Sequence, residues 1–259
     1  MLEAQALTCG YGKRAVVCEA NLRITPGEVV CLLGPNGSGK TTFFKTLLGF
    51  LKPLGGRILI QGEDVLKWSR NQLARTIAYV PQSHTPTFPF RVLDVVTMGR
   101  VAHLGLFASP SRSDMRTSEK ALEAVGMGHL AEKPYTEISG GERQMILIAR
   151  ALAQEARLMI MDEPTSSLDF GNQIRLLKHV RKLADSGMGI LMTTHLPNHA
   201  MLCGNRVAVI DNGRMRLAGK PGEVLDERCL KEIYGINVRV LDTENMQGES
   251  MKTCVPMLD

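Results

Sequence analysis

The chain of 259 residues, 44% hydrophobic and 22% charged, has the composition of one large globular domain or of a core with a subdomain, which excludes disorder over its whole length. Its formal charge of +5, from 31 Lys and Arg against 26 Asp and Glu, is mild and spread out, so charge gives no reason to expect nucleic acid as a partner; a basic face toward phospholipid or ATP fits as well. The six cysteines stand singly, without the close pairs of zinc or redox motifs. The N-terminus lacks a basic region followed by an apolar core, and no window approaches the roughly 18 apolar residues of a membrane span, so any membrane role is expected to run through a partner.

In chain order, "VVCEANLRI" reads as a strand ending at the Pro26-Gly27 turn, and "EVVCLL" (28–33) as a short buried strand of a parallel sheet. A glycine loop follows, then "KTTFFKTLLGFL", with Phe43, Phe44, Leu47, Leu48 and Leu51 at helical spacing. "GGRILIQG" is a strand, Ser69 and Gln72 have capping-box spacing before a short helix, and "IAYVPQ" is a strand closed by Pro81. From about 84 to 138 the pattern turns helical. After it, helix "GERQMILIARALAQ", strand "RLMIMDE", a helix over 169–185, strand "GILMTT", a short helix from Pro197 and strand "RVAVI" restore the alternation of an α/β fold. The tail from about 242 is polar and patternless, and mobility is expected there.

"GPNGSGKT" fits G-x-x-x-x-G-K-[ST] as Gly34, Gly39, Lys40 and Thr41, between a buried-type strand and an apolar helix. Such glycines let successive backbone N–H groups turn toward phosphate oxygens, and the helix N-terminus adds its positive dipole end. Lys40 is expected to reach the β- and γ-phosphates of ATP, and the Thr41 hydroxyl to ligate Mg²⁺. A chance match in a chain of this length is on the order of 1%, before the flanking elements are considered. "LMIMDEP" then offers Asp162 for Mg²⁺ at a strand's carboxyl end and Glu163, one residue on, to polarise an attacking water. A lone histidine is usually structural, but His195 closes the apolar strand "GILMTT", where a neutral imidazole can bond the γ-phosphate or the water. Gln82 can reach Mg²⁺ or the water with its amide. Tyr11 can stack on adenine, although an aromatic in a "CGYGK" turn is as often a packing residue.

A second phosphate-facing helix end stands at "TEISGGERQMILIAR", where Ser139, Gly140 and Gly141 precede the apolar run. One chain does not readily bring it and the first loop onto one phosphate. Two chains packed head to tail under twofold symmetry do, each closing the other's site.

Together these segments resemble the ATPase subunits of ABC transporters: residues 34–42 (Gly34, Pro35, Asn36, Gly37, Ser38, Gly39, Lys40, Thr41, Thr42) match the Walker A loop, Gln82 the Q-loop, "ISGGE" the signature, "LMIMDE" the Walker B strand, "SSLD" at 166–169 the D-loop, His195 the switch histidine and Tyr11 the adenine-stacking position. The motifs span 11–195 in the family's order, with Glu142 where many members have Gln. The resemblance implies an α/β P-loop NTPase of ABC-ATPase type, with an N-terminal antiparallel β subdomain. It implies a RecA-like core over 1–83 and 140–241 around a helical subdomain at about 84–139, followed by the tail 242–259. It also implies ATP and Mg²⁺ as ligands, Ser139 to Glu142 and Asp169 among the nucleotide contacts, a second copy of the chain as partner, and two membrane-spanning permease subunits. The expected place is peripheral, on the cytoplasmic face of the inner membrane.

Within that family, "FPFRVLDVVTMGRVAHLGLF" (88–107) resembles importers of metal chelates and oxyanions, meaning iron-siderophore, haem, cobalamin, and molybdate or tungstate systems, in which a substrate-binding protein delivers the cargo. "LDFGNQ" and "THLPNHA" look closest to molybdate-type members. Gln82 and the segment 88–107, with Phe88, Phe90, Leu104, Leu106 and Phe107, are the expected dock for a short helix of the membrane partner. A soluble ABC ATPase of DNA repair or translation and an exporter ATPase are the alternatives. A small-molecule kinase would have no use for "SGGE".

Overall fold

The computed structural model describes residues 1–82, 88–105, 107–244, 248 and 250–258, leaving aside the side chains of 217 and 218. Leu106 and the expected start of the helical insert at 84 therefore lie outside the described residues. In chain order the chain forms β1 (Leu2–Tyr11), β2 (Arg14–Ile24), β3 (Val29–Leu33), α1 (Lys40–Leu47), β4 (Gly55–Ile60), β5 (Glu63–Asp64), α2 (Arg70–Thr76), β6 (Ile77–Val80), α3 (Val92–Thr97) and α4 (Arg112–Ala124). It continues as α5 (Gly140–Ala153), β7 (Leu158–Met161), α6 (Phe170–Asp185), β8 (Gly189–Thr193), α7 (Pro197–Cys203), β9 (Arg206–Asp211), β10 (Arg214–Gly219), α8 (Pro221–Val224), α9 (Glu227–Tyr234), β11 (Val238–Glu244) and β12 (Ser250–Pro256).

These elements fall into two compact units, Met1–Leu66 with Val180–Asp259, and Lys67–His179. In the first, β1 pairs antiparallel with β2 and with β4, and β4 with β5, which is the expected N-terminal antiparallel region. Further along, β3 lies parallel between β8 and β9, and β10 is antiparallel to β9. All five residues of β3 are buried, as are all five of β8. Both are short apolar runs because a parallel strand covered on both faces has no solvent side to make polar. Phe43, Phe44 and Leu47 of α1 are completely buried, contributing about 1.5–3 kcal/mol each. The helix stops earlier than the apolar spacing suggests. Gly49 takes φ 72 and Phe50 N–H donates back to Lys45 O at 2.8 Å, so Leu51 lies beyond the helix.

In the second unit β6 and β7 pair in parallel, and α3, α4 and α5 pack on one another. The helical subdomain expected at about 84–139 falls within the bounds of this unit, which also takes in α2, β6 and β7. Polar ties explain why α2, β6 and β7 cohere with the helices. Gln154, just past α5, donates to Ala74 O and, at 2.9 Å, to Ile77 O; Arg75 Nε donates to Ala102 O at 2.7 Å. Arg100, almost buried, donates to Asp114 at 3.0 Å and to Glu155 and Ala153 O, each at 2.7 Å. The Ser111 hydroxyl and N–H, with that guanidinium, hold the Asp114 carboxyl at about 2.

The tail expected to be patternless is instead a hairpin. β11 and β12 pair antiparallel from Val238↔Pro256 to Glu244↔Ser250. Val238 and Cys254 turn inward, while Leu241 and Val255 on the other face are exposed, so the segment reads as polar although it alternates.

Candidate active site

The first unit holds the glycine loop. Because Leu32 is in register with Thr193 and Leu33 with Val209, the chain leaves β3 at Gly34 and β8 at Thr194–His195 on one carboxyl edge. The glycines are required by shape. Gly34 has φ 149, and a Cβ there would stand 2.2 Å from the Ile210 carbonyl oxygen; Gly39 has φ 108, and a Cβ would meet Val17 Cγ2 at 2.5 Å. Gly37, at φ 78, is also left-handed. Lys40 Nζ donates to the carbonyl oxygens of Gly34 at 2.7 Å and Pro35 at 3.0 Å, so the loop's curvature draws the ammonium inward.

Two observations test whether a triphosphate fits this loop. Gly39 caps α1 without any side-chain hydrogen bond, and the first turn carries no acidic residue, so nothing of the helix's own occupies its positive end. The Ser38 hydroxyl is buried and, among the described residues, has no hydrogen-bond partner, although such groups are normally paired. Phosphate oxygens match both. Asn36 and Thr41 are exposed, Pro35 is half-buried, and Thr42 is buried within α1. Tyr11, 51% exposed, ends β1 opposite Arg14 at the turn through Gly12, and its ring is open for stacking rather than packed in a core.

The second unit holds the acidic set. Val80 is in register with Met161, so Gln82 and the pair Asp162–Glu163 leave a common edge of β6 and β7. Asp162 N–H donates to Val80 O at 2.9 Å, and Asp162 is buried. Gln82 Nε2 donates to Glu163 Oε2 at 3.0 Å. Glu163 sits at φ 44, a left-handed conformation uncommon outside glycine and costing of order 1 kcal/mol or more, the kind of strain that gathers at functional sites. Neither the contact nor the strain is readable from residue types.

The same unit carries the second helix end. Ser139 caps α5 in a capping box: its Oγ accepts from Glu142 N–H at 3.3 Å, and Glu142 Oε2 accepts from Ser139 N–H at 2.7 Å. These bonds to Ser139 hold the Glu142 carboxyl below its ordinary value. Ser139 and Gly140 are exposed, and a Cβ on Gly140 would meet nothing within 4 Å. Gly141 lies under Asn172, whose Nδ2 would be 3.1 Å from a Cβ. Asn172 in turn donates from N and Nδ2 to Asp169, both at 2.8 Å. Sequence reasoning missed Asn172; its place three residues after Asp169, at the start of a helix, is the signal that could have found it.

Thus Tyr11, residues 34–42 and His195 belong to one compact unit, and Gln82, Ser139–Glu142, Asp162, Glu163 and Asp169 to the other. Among the described residues no three His, Cys, Asp or Glu side chains gather as a metal cluster. Oxygen donors of the hard kind stand in each unit, the Thr41 hydroxyl in the first and the Gln82 amide and Asp162 carboxylate in the second. That suits Mg²⁺, which takes few protein ligands alongside phosphate oxygens and water.

Known proteins resemble this chain over most of its length. Residues 17–166, more than half of the chain, match the ABC transporter family. An uncharacterised ABC transporter ATP-binding protein of Haemophilus influenzae is 43% identical over 241 residues, covering 93% of this chain and 92% of its own. The hemin import ATP-binding protein HmuV of Hahella chejuensis is 38% identical over 248 residues, covering 93% and 95%. Among solved structures, a chain of an inward-facing ABC transporter assigned to the metal-chelate type superposes with a TM-score of 0.88 at 30% identity, covering 99% of this chain and 97% of the other. Members of this family work as dimers with membrane permease subunits, and no described helix of this chain is long and apolar enough to cross a membrane. The chain belongs to the ABC transporter family and is one of its ATPases.

Proposed function

We propose that the chain is the ATP-hydrolysing subunit of a metal-chelate importer, and that two copies close head to tail on ATP, the start of α5 in one meeting the glycine loop of the other. The observation that carries the dimer is the exposed, capped Ser139–Gly140 end with open space around Gly140, in a chain whose own loop at 34–42 already provides a phosphate cradle. Lys40, Ser38 and the loop amides bind the phosphates, Tyr11 stacks on the base, and Asp169 shapes the helix start that borders Gly141. Thr41, Gln82 and Asp162 would hold Mg²⁺, which when bound neutralises charge on the phosphate oxygens. Glu163, whose Oε2 accepts from the Gln82 amide at 3.0 Å, takes a proton from the attacking water, and His195 bonds the γ-phosphate as it leaves.

The cargo class is supported by the relative named for hemin import and by the metal-chelate type neighbour. The oxyanion alternative rests on the "LDFGNQ" and "THLPNHA" segments. In this reading two permease subunits dock at the exposed Phe88, Phe90 and Phe107, a binding protein delivers the chelate, and the ATPases sit on the cytoplasmic face of the membrane. The test is uptake by the complete transporter in proteoliposomes with ATP inside: haem or another metal chelate is expected to enter, and molybdate is not. Molybdate uptake without chelate uptake would overturn the cargo assignment.

A further inference from the structure

We infer that Asn198 is a positioning residue for hydrolysis, clamping the C-terminal hairpin to the first turn of α7 and thereby setting where His195 stands. The inference rests on the role proposed above for His195. That residue is exposed, and it lies between two anchored neighbours. On one side, the buried Thr194 donates its N–H to Leu32 O at 3.2 Å, at the end of the strand that leads into the glycine loop. Its hydroxyl accepts from Leu196 N–H at 3.1 Å and meets the buried His199 Nδ1 at 3.3 Å. On the other side stands α7, only seven residues long and without a side-chain cap at Leu196. A helix so short does not hold itself in water, so its placement comes from tertiary contacts.

The hairpin supplies such a contact. Asn198 reads the backbone of Cys254 as a paired strand would: Nδ2 donates to Cys254 O at 3.1 Å, and Oδ1 accepts from Cys254 N–H at 2.7 Å. The Thr253 hydroxyl adds a bond to Oδ1 at 3.4 Å. Two opposed bonds from one planar amide fix orientation as well as distance. The strand so gripped is stiffened by the ladder to β11 and by Lys252 Nζ on Gly222 O at 3.0 Å. Among its described residues the hairpin buries only Val238 and Cys254, so its contribution to the apolar core is small. Its polar grip falls on the first turn of α7, which follows His195 after one residue.

The test uses the full chain and steady-state hydrolysis of MgATP. Asn198→Ala is expected to lower kcat about tenfold with KM changed by less than about twofold, as misplacement of a group acting late in the reaction requires. Asn198→Asp, which keeps the acceptor for Cys254 N–H but sets a carboxylate oxygen against Cys254 O, should be no faster than Asn198→Ala. The deciding readout is the double variant His195→Ala/Asn198→Ala, expected to be no slower than His195→Ala alone, because the amide acts only through the imidazole. An unchanged kcat in Asn198→Ala, or losses that multiply in the double variant, overturns the inference. If His195→Ala itself leaves kcat unaltered, the proposed role of His195 falls and this inference with it. If His195→Ala is slow while Asn198→Ala is not, only the clamp falls. Should Asn198→Ala fail to fold, Asn198→Asp alone and combined with His195→Ala gives the same comparison.

Discussion

Two helix ends in this molecule carry glycines at their starts, for opposite reasons. At α1 the glycines answer to the chain itself: Gly34, Gly37 and Gly39 have positive φ, and added Cβ atoms at Gly34 and Gly39 would collide with Ile210 and Val17. At α5 neither glycine has positive φ, Ser139 and Glu142 close the capping box, and Gly140 faces open space. The first end is shaped from within and left uncapped, which prepares it for an anion. The second is complete as a helix terminus yet bare on its outside. In the proposed dimer its missing side chain leaves room for the partner's nucleotide.

The largest effect is expected where the two ends act together. Glu163→Gln removes the proposed base while keeping a group that can bond Gln82, so turnover should fall at least about a hundredfold. A dimer should then accumulate in MgATP on size-exclusion chromatography; a chain that stays monomeric there, and also in crosslinking of the intact transporter, would break the head-to-tail arrangement.

Paired alanine substitutions separate the two kinds of glycine. Gly39→Ala has to displace Val17 and adopt φ 108, so it should cost on the order of 1–3 kcal/mol of stability and lose nucleotide binding. Gly140→Ala meets nothing in its own chain, and alanine is the better helix former by up to about 1 kcal/mol, so its melting temperature should not fall. Its ATP-dependent dimer and its turnover should nevertheless be lost. Thermal melts beside nucleotide affinity and dimer formation check this, and a Gly140→Ala protein that dimerises normally would mean its bareness serves no partner.

The loop and the Walker B segment were legible because each combines a continuous apolar run with chemistry at its carboxyl end, and both runs are buried as expected. The end of α1 was not, because Leu48 and Leu51 continue the helical spacing and only the backbone of Gly49 reveals the stop. The bond from Gln82 to Glu163 joins residues 81 positions apart, and no local pattern encodes it. The hairpin was missed for a related reason. Its apolar residues alternate over short strands, and the side chain that grips it, Asn198, stands 56 positions before Cys254.

A smaller effect is expected at the cap of the second end. Ser139→Ala deletes the acceptor for Glu142 N–H and should cost about 1 kcal/mol in urea unfolding, whereas Ser139→Asp, also a good cap, should keep the stability. In the proposed dimer the aspartate would repel the partner's phosphates, so its turnover should still fall. Equal turnover in Ser139→Asp and the parent would leave Ser139 a helix cap and nothing more.

The smallest effect is one of pH, and it separates the buried frame of the first unit from its working edge. His199 is buried behind Thr194, and burial first, then the nearby His195, lowers its pKa from 6.5 to about 4. As pH falls from about 6.5 toward 4 the unfolded chain takes up a proton at this position that the folded chain refuses, so folding stability declines across that window; above it both states are neutral and the term is flat. His199→Asn removes the titration while keeping a polar group near the Thr194 hydroxyl. Carboxylates such as Asp114, held at about 2, titrate lower and equally in both proteins, so they cancel in the difference. The unfolding midpoint of the parent should therefore drop more steeply than that of His199→Asn between pH 6.5 and 4, with the two curves parallel above about pH 7.5. Curves parallel throughout would mean that His199 protonates as readily in the folded chain as in water, and that the turn behind His195 is more open than its burial implies.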